Sequence, residues 1–361
     1  IVSGIVQTLI LYSTAPLTVH LMGVDHSDPI LWNAAVTFLK VRALGAPANV
    51  LLLATQGVFR GIADTKRPLY ATLGGNALNI LLDPLFILGF GTGVEGAAWA
   101  TVISEYCAAF YLLWTLHRKI GTLKIQFNPE TWKQLKGLAG PSATLVFRSF
   151  SIVSTYGVAA SLSLNSGEEL AAAHQVCHQL WLGCTLLADS LAVAAQTLIA
   201  QNIVKNDPEK IRQVTFKTCS FGLAVGTVAA LLMQLSHTIL PTVFTTDSDT
   251  LAGIGHLLPF VIWTQPITAL AFVLDGVLYG GGDFQFATLA MFLSATPSMF
   301  VMCTSLLAND PYDKLSLIWV GYSLLMAMRI FMILYRIQSQ SGPYRKYFLP
   351  EPVKVHKDKQ Y

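Results

Sequence analysis

Charged residues are scarce in this sequence. Asp, Glu, Lys and Arg make up 12% of the 361 residues, whereas hydrophobic residues make up 53%, and the mean hydropathy is +0.54. Soluble globular proteins carry about 25% charged residues, so this chain has too little polar surface to cover a fold in water. The composition excludes an ordinary soluble domain and predicts an all-α integral membrane protein.

Paired cysteines and a targeting segment are also lacking. The five cysteines form no CxxC pair, which argues against a disulfide framework and against a zinc site. The chain begins with Ile1 inside an apolar block, and no basic segment precedes that block, so it is not a signal peptide. We therefore expect a longer protein whose N-terminus precedes Ile1.

Ten apolar blocks are present, and each is long enough to cross a hydrocarbon core of about 30 Å. They cover roughly 1–23, 33–59, 68–90, 94–117, 134–162, 169–202, 214–243, 252–280, 286–308 and 315–337. Of the 23 Lys and Arg residues, 18 lie in every second connector or in the C-terminal tail, whereas the other connectors are acidic apart from Lys314. The positive-inside rule therefore predicts that the basic connectors and the C-terminus are cytoplasmic.

An internal repeat relates the two halves. An offset of 219 residues aligns ATQGVFRGIAD with VLDGVLYGGGD, and lays Gln56 on Asp275 and Asp64 on Asp283. Parallel repeats related by an axis along the membrane normal occur in transporters. The repeat predicts an N-terminal lobe of four helices, a cytoplasmic connector, a C-terminal lobe of six helices and a cytoplasmic tail, at residues 1–118, 119–133, 134–338 and 339–361. Two six-helix lobes, twelve helices in all, are then expected, with the first two helices preceding Ile1.

Long motifs in both halves resemble the multidrug and toxic compound extrusion (MATE) family, most closely its DinF-like and plant-type branch. In the first half they are ALGAPANVLLLATQGVFRGIADTKRPL and NALNILLDPLFILGFGTGVEGAAWAT, and in the second AAAHQVCHQLWLGCTLLADSLAVAAQTLIAQ and LDGVLYGGGDF. The resemblance implies an exporter that works by alternating access, with substrate between two lobes and H⁺ or Na⁺ influx driving the cycle, without a cofactor. It also implies a coupling carboxylate in a first helix, which would precede Ile1.

Polar residues in the first half form a candidate ion-coupling site. Asn79 and Asp83 are four residues apart and share a helix face, as do Thr101 and Glu105 on the next helix. Ionisable side chains at bilayer depth cost about 2.5–3.5 kcal/mol, so they are candidates for function. The family resemblance assigns ion binding to Asn79, Asp83 and Thr101, with Na⁺ possible at the first two, and Glu105 is added from its spacing. The alternative is that Asn79 and Asp83 only stabilise a kinked helix.

The second half carries a candidate substrate site. Arg148, Asp189 and Asp275 lie in apolar blocks, and Gln56 occupies the repeat position of Asp275. Arg148 needs an acidic partner in the membrane, which Asp189 or Asp275 could supply. Two interpretations stay open, a substrate site with some preference for organic anions and a structural ion pair.

The function that these features predict is a secondary antiporter that exports small organic cations or anions, and not an enzyme. One alternative is a lipid-linked precursor flippase. It would need several cavity cations, and the candidates are limited to Arg148 and, beside it, Arg42 or Arg329. Another is an intramembrane aspartyl hydrolase, because GGGD resembles a GxGD motif and Asp189 and Asp275 are a carboxylate pair to test.

Several further expectations concern partners and location. HQVCH lacks the Glu of a zinc protease, so His174 and His178 indicate polar packing, with pore lining as the alternative. The basic connectors are explained by topology, so no nucleic-acid partner is expected. The expected partners are a small organic substrate and the lipid bilayer. A monomer in the plasma membrane or an organelle envelope is predicted.

Overall fold

The computed structural model describes residues 2–21, 29–62, 64–121, 129–339 and 342–344, and within them it contains helices and no strands. The α-helices α1 to α11 are Val2–Leu21, Pro29–Ala43, Ala46–Gly61, Lys66–Pro84, Gly93–Ile120, Pro129–Ser163, Glu168–Val204, Pro208–Leu235, Ser248–Gly280, Phe284–Cys303 and Pro311–Gln338. Among the described residues, nine helical segments are long and apolar enough to cross a membrane, and there are ten if α2 and α3, which meet at a bend of 43°, count as one span. The predicted helical membrane fold is confirmed.

Contacts divide the chain into two compact units, Ile1–Gln126 and Phe127–Tyr361. In the N-terminal unit α5 packs against α2, α3 and α4, and α1 packs against α2 and α3. In the C-terminal unit α6 to α11 surround a larger core, with α9 packed most closely against α7 and α8. The lobe boundaries stated above stay predictions.

The close packing of α7 and α9 depends on glycine. A Cβ atom on Gly276 would collide with the backbone of Ala192, and one on Gly280 would meet Ile199. Small residues let helix backbones approach closely where lipid provides no hydrophobic drive for association.

Gly276→Ala is therefore expected to destabilise the C-terminal unit, because the helix backbones of α7 and α9 must separate to admit one methyl group. Gly255→Ala on the same helix is the matched control, since a Cβ there meets nothing within 4 Å. We expect the melting temperature of the detergent-purified protein to fall for the first variant. The control should keep its melting temperature or raise it slightly, because helix propensity can add up to about 1 kcal/mol to its free energy of unfolding. Equal melting temperatures for the two variants would contradict this packing.

The break between α2 and α3 is stabilised by side chains of other helices. Thr8 donates a hydrogen bond to the Ala43 carbonyl (2.8 Å), and the Tyr106 hydroxyl donates to the Leu44 carbonyl (3.1 Å). Carbonyls freed by a helix break at membrane depth need such partners. The repeat offset places the α2–α3 pair on α9, which is one continuous helix from Ser248 to Gly280, so the break is a feature of one copy only.

The repeat extends to individual hydrogen bonds in the turns that follow α3 and α9. The Asp64 amide donates to the Phe59 carbonyl (2.9 Å), and the Asp283 amide donates to the Leu278 carbonyl (3.1 Å). Each carboxylate then binds a cation at the end of the last helix of its unit. Lys119 binds Asp64 (2.7 Å), and Arg336 binds Asp283 (2.8 Å).

Asp64→Asn is expected to lower the free energy of unfolding at neutral pH, because it removes the ion pairs of Asp64. The loss should be only about 1–2 kcal/mol, since solvent partly screens these pairs. Its hydrogen bond with Lys119, together with Arg67, lowers the Asp64 pKa from 3.8 to about 2. A lowered pKa means that this stabilisation is present above about pH 4 and is lost as the pH falls toward 2. Melting temperatures measured against pH should therefore differ between wild type and variant at pH 7 and converge in acid. Asp313→Asn, at an exposed carboxylate, is the control.

Candidate functional site

The structure brings together Asn79, Asp83 and Thr101 at the junction of α4 and α5. The Asn79 side-chain nitrogen donates to Asp83 Oδ1 (3.3 Å) and to Thr101 Oγ1 (3.4 Å). The Thr101 hydroxyl donates in turn to the Ala97 carbonyl (3.0 Å). All three predicted side chains are half-buried, so the cluster is partly protected from the surroundings but still accessible to a small ion.

This cluster can bind a cation in two ways. The Asp83 carboxylate can accept a proton, or a rotation of the Asn79 amide can turn its oxygen inward beside the Asp83 and Thr101 oxygens. Hard cations prefer such oxygen ligands. Pro84 follows Asp83 directly, and α4 continues as a π-helical turn over Leu85–Gly89. Single π turns of this kind are frequent at functional sites.

Glu105 is held elsewhere. Its carboxylate forms an ion pair with Arg42 (3.1 Å), next to the break between α2 and α3. A Cβ atom on Gly45, at that break, would lie 2.5 Å from Glu105 Oε2. Within the described residues no hydrogen bond joins Glu105 to Asn79, Asp83 or Thr101. The four-residue spacing placed Glu105 one turn along α5, where Arg42 is the nearer polar partner.

The corresponding junction in the C-terminal unit is built without a carboxylate. The repeat offset places Asn79 on Ser298, Asp83 on Met302 and Thr101 on Val320. There the Ser298 hydroxyl donates to the Gly321 carbonyl (2.7 Å), and Met302 packs on the same glycine. The fold can therefore join these two helices with a hydroxyl hydrogen bond and apolar packing, and it does not need an Asp at this position.

Asp275 is the partner of Arg148. Its Oδ2 accepts hydrogen bonds from both Arg148 and Arg329, so one buried carboxylate holds two guanidinium groups. The side chains of Arg148, Asp275 and Arg329 are 12%, 9% and 4% exposed. Tyr279 and Phe272 lie beneath the two guanidinium groups at 5.3 and 5.2 Å. The cluster carries one more positive than negative charge.

The other two predicted cavity residues are placed differently. Asp189 lies on α7 with an exposed side chain, and its negative charge acts on Arg148 and Tyr279, whereas the hydrogen bond of Arg148 goes to Asp275. Gln56 is half-buried on α3 of the N-terminal unit. Gln56 and Asp275 share a repeat position, but only Asp275 sits among arginines.

Sequence reasoning gave no site role to two arginines. Arg329 lies in the apolar stretch LMAMRIFMIL, and Arg42 lies in α2. Both were considered only as cations for a flippase. A charged residue in a spanning block demands a partner, and that requirement could have paired Arg42 with Glu105 and added Arg329 to Asp275.

The chain matches the MatE family model over residues 1–85 and 141–304. It belongs to the MATE family. It is 38% identical to Protein DETOXIFICATION 44, chloroplastic, of Arabidopsis thaliana over 95% of this chain and 64% of that protein. Protein DETOXIFICATION 42 of the same plant is also 38% identical, over 95% of this chain and 65% of its own length. The chain therefore spans slightly less than two thirds of these relatives.

Solved MATE structures show the same fold at low identity. The crystal structure of the eukaryotic MATE transporter AtDTX14 aligns with a TM-score of 0.79 at 15% identity, and covers 96% of this chain and 77% of that chain. A MATE crystal structure in the straight conformation gives a TM-score of 0.77 at 18% identity, over 94% and 76% of the two chains. The predicted family, its plant-type branch and its fold are confirmed. Members of the family are multi-pass membrane transporters and not enzymes.

Proposed function

We propose that this protein is a secondary antiporter that exports small organic molecules and is driven by H⁺ or Na⁺ influx. The observation that carries the proposal is the cluster of Asn79, Asp83 and Thr101. An ionisable side chain at membrane depth is costly, and the repeat copy shows that the fold can do without it. A half-buried carboxylate beside an amide and a hydroxyl can load and release a cation during a transport cycle.

The substrate class that the C-terminal unit favours is an organic anion. Arg148 and Arg329 bring two positive charges to one carboxylate, Asp275. Within the described residues, the buried Nε atoms of both arginines have no hydrogen-bond partner. Guanidinium groups bind carboxylates through paired N–H donors. A substrate carboxylate could use these donors and offset the excess charge.

The same contacts argue against both alternatives. A flippase needs several spare cations in one cavity for a phosphate, but Arg42 is paired one-to-one with Glu105, and Arg148 and Arg329 have one spare charge between them beside Asp275. An aspartyl hydrolase needs two carboxylates that share one proton. Asp275 Oδ2 instead accepts from two cations, so the pairing of Asp275 with Asp189 has no support.

The proposed setting is a monomer in an organelle envelope or the plasma membrane, with its C-terminus in the cytoplasm. The names of two relatives, Protein DETOXIFICATION 44 and Protein DETOXIFICATION 45, include "chloroplastic", which favours an envelope. The alternation of basic and acidic connectors supports the orientation.

The test is transport by the full-length protein in proteoliposomes under four conditions, a pH gradient, a Na⁺ gradient, both, and neither. Labelled citrate and a labelled quaternary ammonium dye represent organic anions and cations. We expect efflux of at least one class in a gradient arm, and Arg148→Met should reduce anion efflux alone. Gradient-independent movement of a lipid-linked oligosaccharide, with no efflux of either probe, would replace the antiporter with a flippase.

A further inference from the structure

Two histidines lie in the core of the C-terminal unit, in contact with four aromatic side chains. His174 and His178 are one turn apart on α7, and their rings stack with centroids 6.1 Å apart. His174 is 2% exposed, and His178 is half-buried. The six side chains, here called the histidine cluster, are His174, His178, Tyr156, Trp181, Trp319 and Tyr322.

The histidine cluster contains polar atoms without partners. Within the described residues, nine buried side-chain nitrogen or oxygen atoms have no hydrogen-bond partner, and four of them belong to this cluster. They are His174 Nδ1, His178 Nε2, Trp319 Nε1 and the Tyr322 hydroxyl. Each such atom costs about 1–3 kcal/mol. If the histidines served only as packing, apolar rings of similar size would give a more stable fold. The four unpaired polar atoms in one cluster therefore indicate a functional role.

We propose that His174 and His178 form a proton-binding site in the core of the C-terminal unit. Each neutral imidazole offers one nitrogen lone pair, and imidazole is the side chain that titrates between pH 5 and 8. A proton needs no cavity, which suits a closely packed cluster. An imidazolium at His178 would lie against the ring faces of Tyr322 (5.8 Å) and Trp181 (6.0 Å). Aromatic faces stabilise a cation.

The surroundings limit the site to one proton. Among the described residues, His178 is the ionisable group whose charge acts on His174. A proton on each histidine would place two positive charges side by side, and the charge of no described carboxylate acts on His174 to offset them. The other groups of the cluster that can titrate are Tyr156 from α6 and Tyr322 from α11. In the same core, α8, α9 and α10 contribute apolar side chains such as Met233, Leu258 and Met291, and Thr268 of α9 accepts a hydrogen bond from Trp181 (3.3 Å).

Tyr156 connects the histidine cluster with the arginine pair. Its ring contacts His178 edge-on at 5.0 Å, and the charges of Arg148 and Arg329 act on its hydroxyl. A proton bound at the histidines therefore adds positive charge near the proposed anion site. This consequence for transport rests on the proposed function, whereas proton binding itself does not.

Tryptophan fluorescence tests the site without substrate or gradient. Trp181 and Trp319 contact His178 and His174 at 6.0 and 5.9 Å, and an imidazolium quenches a neighbouring indole. Purified full-length protein in chelating buffer, titrated from pH 8 to pH 4, should show a reversible decrease in emission. The decrease is partial, because Trp181 and Trp319 are two of the seven tryptophans that emit.

Three variants decide the result. The double variant His174→Gln, His178→Gln should lose the pH-dependent decrease, whereas His256→Gln should keep it, because His256 is exposed and bonds to Ser316 (2.8 Å). If the double variant does not fold, Trp181→Phe with Trp319→Phe keeps both histidines and should lose the same decrease. A titration curve unchanged in either double variant would overturn the proposal, whatever the outcome of the transport assays.

Discussion

Replacing Asp275 with asparagine is expected to destabilise the protein by about 3–5 kcal/mol, because it leaves two buried guanidinium groups without their shared carboxylate. Arg148 and Arg329 both donate to Asp275 Oδ2. The loss would appear as a fall in the melting temperature of the detergent-purified protein and in the yield of folded protein.

Arg148→Met should have a much smaller effect on stability. It leaves Asp275 and Arg329 as a one-to-one pair, and methionine can occupy much of the volume of the arginine stem. Asp313→Asn, which changes an exposed carboxylate of the same unit, should leave the melting temperature unchanged. If Asp275→Asn proved as mild as Arg148→Met, Asp275 would not be the carboxylate that holds both arginines.

The second large effect is expected for Asp83→Asn, which should reduce gradient-driven efflux at least about tenfold, equivalent to about 1.4 kcal/mol. Asparagine keeps the size of the side chain and a hydrogen bond with Asn79, but it cannot take up a proton and binds a cation weakly. Initial efflux rates from proteoliposomes measure the effect, with the amount of inserted protein determined in each preparation.

Two matched variants distinguish coupling from packing. Glu95→Gln removes an exposed carboxylate at the start of α5 and should transport normally. Thr101→Val keeps the shape of the cluster but removes a hydroxyl oxygen. Efflux driven by a Na⁺ gradient should therefore fall, whereas Asp83 can still bind a proton. Full efflux by Asp83→Asn would move the coupling to Glu105 or to another carboxylate of the full-length protein.

The helices were predictable because a spanning block leaves a long apolar signal. The bend in the second block also has a local signal, because Pro47 lies in the first turn of α3 and proline kinks a helix. The stabilisation of the bend has none. It depends on Thr8 and Tyr106, which reach the freed carbonyls from helices distant in sequence. Contacts of this kind are set by packing and leave no local pattern.

The candidate sites likewise contain some contacts that the sequence predicts and others that only packing determines. Helical spacing brought Asn79 to Asp83, because residues four apart must share a face. The same spacing misplaced Glu105, since a turn of helix also rotates a side chain toward another neighbour, here Arg42. For Arg148, the need for an acidic partner was predictable from burial cost. The choice of Asp275 over Asp189, and the second arginine, depended on how α6, α9 and α11 pack.

Reversal of the ion gradient tests the central claim most directly. Proteoliposomes containing the full-length protein and equal substrate on both sides are given an inward or an outward gradient of the coupling ion. An antiporter that loads its ion at Asp83 must move substrate uphill against the ion in both cases, and Asp83→Asn must move none uphill. Substrate flux that keeps one direction when the gradient is reversed, or that persists in Asp83→Asn, would contradict the account.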